Sequence, residues 1–270
     1  MTDEQARAEC IFDFWSRAAE QPRDAEGLRP TARDPFLQEA VEAAILPWLS
    51  PSARLLDLGC GEGSSTLRFA QGVTAALGID YVDGFVHQAR ANAAQQGQDN
   101  CTFETGSVLD LSAVRAAHGR FDAVVAIRCL INLESWERQR EALAELAACV
   151  APGGLLLLSE GWAEGFRGLN LRRGRVGLPE MQVAPYNLLM QRDLLEAECR
   201  RWLDFVGYRG LGLYLYLSRV VQPLFVAPDS PSHTHPLNRV AAGIQAADAA
   251  ADPFADCDYA GVYVWRRRPD

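Results

Sequence analysis

The apolar positions of the chain follow two regimes. Ala6 to Glu20 and Pro35 to Leu49 carry apolar residues at helical spacing, which predicts two helices joined by a loop over QPRDAEGLRPTARDP. From Arg54 the period changes. Short apolar runs at Leu55–Leu58, Val73–Ile79, Cys101–Thr105, Phe121–Ile127 and Leu155–Ser159 read as strands. Helical segments separate them: one beginning at Ser64 or Ser65, then Asp83 to Gln96, Val108 to Ala117 and Ser135 to Val150. Strands separated by helices pair in parallel, because a parallel pair needs a crossover of about a dozen residues or more. The expected fold class is α/β, an open doubly wound sheet.

Beyond Glu160 the regularity breaks. Gly161 to Val206 holds the Gly- and Arg-rich stretch GWAEGFRGLNLRRGRVGLPEM, then a helical pattern over Gln191 to Leu203. The apolar run Leu211 to Val226 is interrupted by Ser218, Arg219, Gln222 and Pro223, so it reads as buried helix or strand. A membrane span would need about 18 apolar residues, and no stretch reaches that. Pro223 to Asp258 is a second irregular segment with an Ala-rich helix around Ala241 to Ala251, and the alternation over Tyr259–Trp265 predicts a last strand. Long insertions in a compact α/β core usually cover a binding site. The expected organisation is an N-terminal helical cap over residues 1–50 and a core over 51–270, with cap insertions at about 161–205 and 223–258.

Composition narrows the function classes. The chain has 270 residues, 49% hydrophobic and 23% charged, enough to bury a sizeable core. Its net charge of -9, from 26 basic and 35 acidic residues, argues against a phosphate-backbone binder. A small-molecule partner is expected, with no nucleic acid and no membrane. Every basic residue is arginine, which excludes Schiff-base chemistry and a lysine general base. Seven cysteines, an odd number without a C-x-x-C pair, argue against a disulfide framework or a zinc site and suit a reducing cytoplasm. The start, MTDEQARAEC, is acidic and polar where a signal peptide needs a basic and then an apolar run.

The strongest chemical signal is LLDLGCGEGSS, residues 55–65, between a strand and a helix. Such a turn puts a ligand at the carboxyl edge of the sheet, with glycines that let the main chain approach it. Asp80, 80 − 61 = 19 residues after Gly61, ends the next strand, where a carboxylate can accept both hydroxyls of a ribose. A dinucleotide fingerprint wants glycine at the sixth position, which here is Ser64. Asp57 beside the turn would repel a pyrophosphate and suits a cationic ligand.

These residues resemble the first motif of class I S-adenosylmethionine-dependent methyltransferases, with Leu56-Asp57-Leu58-Gly59-Cys60-Gly61-Glu62-Gly63 as the counterpart. The resemblance runs for about a hundred residues. It implies a Rossmann-like seven-stranded sheet whose last strand is antiparallel, and S-adenosyl-L-methionine as cofactor. It implies that Asp57, Gly59 and Gly61 hold the cofactor, that Asp80 and the adjoining Tyr81 lie at its ribose, and that Gly106–Val108 contacts the adenine through Ser107 and Val108. Ser107 could equally cap the following helix. Phe121-Asp122-Ala123-Val124 matches the fourth strand, after which Arg128 to Leu133 faces the cofactor, and LAELAACVAPGGLLLL is similar to the helix-turn-strand that follows. Arg33 is a candidate for the cofactor carboxylate.

Methyl transfer from a sulfonium is mostly alignment, so a general base is optional and matters when a hydroxyl must lose its proton. Of the four histidines, His87 and His118 read as surface residues, whereas His233 and His235 lie in the late insertion and are the candidates for the pocket. A His-x-His pair without a third ligand does not make a metal site, and no metal is expected. Glu160 ends the fifth strand at the ligand edge, and Tyr186 lies in the PYN segment of the first insertion; both are further catalytic candidates. Arg167, Arg172, Arg173 and Arg175 form a basic cluster that would suit an anionic substrate or simply be solvated. Trp15 and Phe14 read as core anchors, and Cys60 as a small filler. The expected activity is methyl transfer to a small molecule, most often at oxygen, with nitrogen or carbon of a secondary metabolite or sugar as alternatives. A nicotinamide-dependent oxidoreductase and a non-catalytic binding module are the competing readings.

Overall fold

The computed structural model describes residues 3–21, 28–29, 31–247 and 252–269. Seven strands form one sheet: β1 Arg54–Leu58, β2 Ala75–Asp80, β3 Cys101–Thr105, β4 Phe121–Ile127, β5 Val150–Ser159, β6 Leu203–Arg209 and β7 Val262–Arg267. Their order is β3-β2-β1-β4-β5-β7-β6, with β7 antiparallel to both of its neighbours and the first five strands parallel. The Rossmann-like α/β sheet with an antiparallel last strand is therefore present. Strand order reverses between β1 and β4, and in such sheets ligands bind outside the carboxyl ends of the strands at that crevice.

Helices cover both faces. Those preceding β5 are α1 Asp3–Glu20, α2 Pro35–Ile45, α3 Ser64–Ala70, α4 Asp83–Gln96, α5 Ser112–His118 and α6 Trp136–Cys149. After it come α7 Ala163–Arg175, α8 Arg192–Cys199, α9 Gly212–Tyr216, a π-helical turn Leu217–Val221, α10 Gln222–Val226 and α11 Pro236–Ala247. Leu55 packs on one face with Phe36, Ile45, Val86 and Tyr214, while Leu56 and Leu58 pack on the other with Leu143, Leu156 and Trp162. This two-sided burial explains why β1 reads as a continuous apolar run rather than an alternation. α2 belongs to this main core through Phe36, Leu37 and Val41; α1 instead lies on α4, where Ala18 and Ala19 meet Val82 and Phe85.

Three differences from the expected elements have physical causes. β6 was hidden because it is an edge strand: only Leu203 is buried, and the register slips between Phe205 and Gly207, so no clean alternation survives. The helical pattern expected to run to Leu203 accordingly ends at Cys199. Most of the Gly- and Arg-rich stretch expected to be irregular, Ala163–Arg175, is in fact helix α7. A Cβ on Gly165 would lie 1.8 Å from the Asp258 carbonyl oxygen, and one on Gly168 1.8 Å from that of Asp256. These glycines mark close backbone approach rather than a loop. The part of the Ala-rich helix expected beyond residue 247 lies outside the described residues. No helix among the described residues is long and apolar enough to cross a membrane.

Candidate active site

The carboxyl ends of β1, β2 and β4 open into a cavity of about 460 Å³. Of the sequence candidates for the cofactor, Gly59, Gly61, Asp80, Tyr81, Ser107, Val108 and Arg128 line it together. Gly61 takes φ +54° there, a left-handed conformation that favours glycine, and its amide donates to Asp80 Oδ2 at 2.9 Å. The other oxygen, Oδ1, accepts from the Val82 amide at 2.9 Å. Two amides thus fix the carboxylate at the cavity wall.

Asp57 is placed differently. It lies beneath the glycine turn, 2% exposed, and accepts from Thr66 Oγ1 at 2.5 Å. It lines a small pocket under Gly59, Gly61 and Glu62 rather than the main cavity. Burial pushes its carboxyl up to about 7 against the Thr66 bond, helped by Glu42 and Asp80. Burial also raises Asp80, against the amides of Val82 and Gly61. With Glu62 paired to Arg29 and Glu42 to Arg68, Asp57 and Asp80 are left to make this end of the sheet an acidic centre, which favours a cation and opposes a diphosphate.

Arg128 is the one residue other than glycine with positive φ among the described residues, +51°, immediately after β4. Such a conformation is uncommon outside glycine and persists only where its surroundings hold it. Glu160 supplies the hold. Its Oε1 accepts from the amides of Cys129 (3.1 Å) and Leu130 (3.0 Å), and its Oε2 from Ile131 (3.2 Å). Burial pushes this carboxyl up to about 7, while the Leu130, Ile131 and Cys129 amides pull it back. A carboxylate spent on three backbone amides positions the loop. The Arg128 side chain bonds the Thr31 carbonyl and Gln38, tying the 31–38 segment over the site.

A second cavity of about 320 Å³ adjoins the first. The two share Arg33, Ile127, Arg128, Ile131, Tyr186 and Asn187. Glu160, Tyr186 and His233 all line the second cavity, so these three catalytic candidates come together. His235 does not join them; its Nδ1 accepts from the Leu237 amide at 3.1 Å at the start of α11. His233 Nδ1 lies 3.6 Å from Asp34 Oδ2. Asp34 is buried, capping α2 through the Leu37 amide and bonded to Tyr214 and Arg219. Burial pushes its carboxyl up, but His233, Arg219, Tyr214 and Leu37 together hold it well below the usual range.

Sequence reasoning missed part of the wall. Trp15 lines the first cavity with Ala8 and Ile11, and its Nε1 donates to Asn132 Oδ1 at 3.2 Å. Tyr186 stacks on Phe14, ring centroids 4.0 Å apart. The helical period of α1 shows that one face is apolar, and nothing in it distinguishes a cavity wall from a core. The basic cluster faces elsewhere: Arg172 pairs with Asp256 at 2.9 Å, Arg173 donates to the carbonyls of Pro179 and Arg219, and none of the four lines either cavity. Among the described residues, no three His, Cys, Asp or Glu side chains are grouped to hold a metal.

A first cavity of this size, with Asp80 in its wall, apolar walls at Ile79, Val108 and Leu109 and an acidic centre under the glycine turn, fits S-adenosylmethionine. Comparison with known proteins agrees. Residues 55–154 match a family described as a methyltransferase domain. A 23S rRNA (uracil(1939)-C(5))-methyltransferase of Photobacterium angustum is 40% identical over 88 residues, 32% of this chain and 40% of that protein. An arsenite methyltransferase of Aquipseudomonas alcaligenes is 32% identical over 127 residues, 44% of this chain and 36% of that protein. The chain thus spans well under half the length of these curated relatives. The N-methyltransferase NodS of Bradyrhizobium japonicum, solved with S-adenosylhomocysteine, superposes with a TM-score of 0.57 over 95% of this chain and 98% of that one, at 14% identity. By its matched segment, residues 55–154, and by its sheet, the chain is similar to the class I S-adenosylmethionine-dependent methyltransferases.

Proposed function

We propose that the protein transfers a methyl group from S-adenosylmethionine to an oxygen of a small-molecule acceptor. The observation that carries this reading is the pair of adjoining cavities: one against Gly61 and Asp80, the other beneath His233, with Arg128 and Tyr186 in their common wall. Bound in the first, S-adenosylmethionine supplies a methyl already activated on a sulfonium. Asp80 would hold the ribose, Ser107 and Val108 the adenine end, and the acidic centre around Asp57 would favour the positive sulfur. Residues 1–50 and the two insertions would act as the cap around both cavities.

The chain's own work in the second cavity is to position and deprotonate. Tyr186, stacked on Phe14, would set the acceptor against the common wall. His233, backed by the Asp34 carboxylate, would accept the proton of an acceptor hydroxyl as that oxygen attacks. Glu160, with both oxygens on backbone amides, would hold the Arg128 loop in place and take no proton from the acceptor. The small volume of the second cavity and the net charge of -9 favour a small molecule over RNA. The test is transfer of labelled methyl from S-adenosylmethionine to a panel of hydroxyl, carboxyl and amine compounds and to total RNA. Label in hydroxyl or carboxyl compounds, reduced by His233→Gln for the hydroxyls, supports the reading. Label confined to RNA or to amines overturns it.

A further inference from the structure

Resting on the reading of the second cavity as the acceptor site, we propose that the acceptor carries an anionic group, a carboxylate or a phosphate, and that Arg33 binds it. The argument is an inventory of which charges in the cavity wall are already committed. Among the described residues its two carboxylates are Asp34 and Glu160. Asp34 Oδ1 accepts from the Leu37 amide at 3.0 Å and the Tyr214 hydroxyl at 2.6 Å, and its Oδ2 accepts from the Arg219 guanidinium. Glu160 gives both oxygens to the backbone amides of the loop after β4. Among the described residues, no carboxylate in this wall is left for an ammonium group.

The cations stand otherwise. Arg219 is spent on Asp34, and Arg128 commits one amino group to Thr31 and Gln38. Arg33 lines both cavities and makes no hydrogen bond or ion pair with any described residue. Among the described residues three guanidiniums, the exposed Arg33 and Arg128 and the buried Arg219, therefore line this wall against two satisfied carboxylates, a local excess of positive charge in a protein whose net charge is -9. Its place at the junction puts Arg33 within the walls of both cavities, where a planar guanidinium can take two oxygens of an anion at once. An amine entering the same space would meet a guanidinium and no free counter-charge. The wall selects an acid.

The experiment is calorimetric titration of benzoate, phenyl phosphate and benzylamine into the full chain saturated with S-adenosylhomocysteine. The expected result is that at least one anion binds while benzylamine binds more weakly, the tighter anion telling carboxylate from phosphate. Arg33→Gln should lower that anion's affinity by about tenfold or more, Arg33→Lys should restore part of it, and both should keep the affinity for S-adenosylhomocysteine. Benzylamine binding as tightly as either anion, or anion affinity unchanged in Arg33→Gln, overturns the proposal. So does a comparable loss of S-adenosylhomocysteine affinity in Arg33→Gln, which would assign Arg33 to the cofactor carboxylate. Failure of the unsubstituted chain to bind S-adenosylhomocysteine overturns the cofactor reading itself, a separate outcome.

Discussion

Asp34 and Arg219 form a buried ion pair that joins the start of α2 to the π-helical turn Leu217–Val221, across 185 positions of the chain. Removing one partner leaves the other charge buried and uncompensated, which costs roughly 3–5 kcal/mol. Arg219→Met should therefore lower stability by about that amount in denaturant unfolding. The pair also has a pH signature. Asp34 is held below its ordinary value of 3.8, so the unfolded chain takes up the proton first as pH falls. Its stabilising contribution should be complete above that value and be lost as pH drops below it. Asp34→Asn should flatten this acid limb.

The acidic centre under the glycine turn predicts a pH dependence that separates S-adenosylmethionine from S-adenosylhomocysteine. Asp57, raised to about 7, is neutral below that pH and anionic above it. Only the sulfonium carries a positive charge at sulfur, so only its affinity gains from ionised Asp57. The ratio of the two affinities should rise between about pH 6 and 8, and Asp57→Asn should flatten the rise. Parallel calorimetric titrations of both compounds across that range check it.

Glu160, with both oxygens on backbone amides, positions the loop after β4. Glu160→Gln puts an amide donor against amides that already donate, leaving a buried N–H unsatisfied at a cost of about 1–3 kcal/mol. The expected outcome is a lower melting temperature and weaker cofactor binding at every pH. A variant that is fully stable and loses only the pH dependence of turnover would instead make Glu160 a base.

The glycines of α7 predict a packing defect. Gly165→Ala would drive its methyl against the Asp258 carbonyl, so the segment carrying Asp256 and Asp258 must move. The cost should exceed that of an ordinary overpacking substitution, about 1–3 kcal/mol, and thermal unfolding would show it. Gly174→Ala, with open space around it, should be neutral or stabilising.

How far the sequence was legible follows from which signals are local. The glycine turn and Asp80 are separated by a single β-α-β step, so spacing alone places them on one sheet edge, and the structure joins them through the Gly61 amide. β1, β2, β4 and the Leu155–Ser159 half of β5 were readable because both faces are buried and each run is mostly apolar, and β3 because Cys101 and Phe103 alternate with more exposed polar residues. β6 was not, because an exposed edge strand with a bulge carries little periodicity. The second cavity was legible only in its parts. Arg33, Glu160, Tyr186 and His233 lie on four separate segments, and only tertiary contacts, such as Asp34 with Arg219, fix which of them meet. Trp15 does pack on the small core of Ala18, Ala19, Val82 and Phe85, but its place on the cavity wall was not legible, because a helix period reports an apolar face without saying what that face meets.

The most direct measurement is calorimetric binding of S-adenosylhomocysteine to the unsubstituted chain and to Asp80→Ala, with melting temperatures recorded to confirm that both are folded. If the cofactor lies against the glycine turn with its ribose on Asp80, the unsubstituted chain binds and the variant loses roughly ten- to a hundredfold in affinity. Equal affinity in a folded variant would contradict the cofactor placement on which the rest depends.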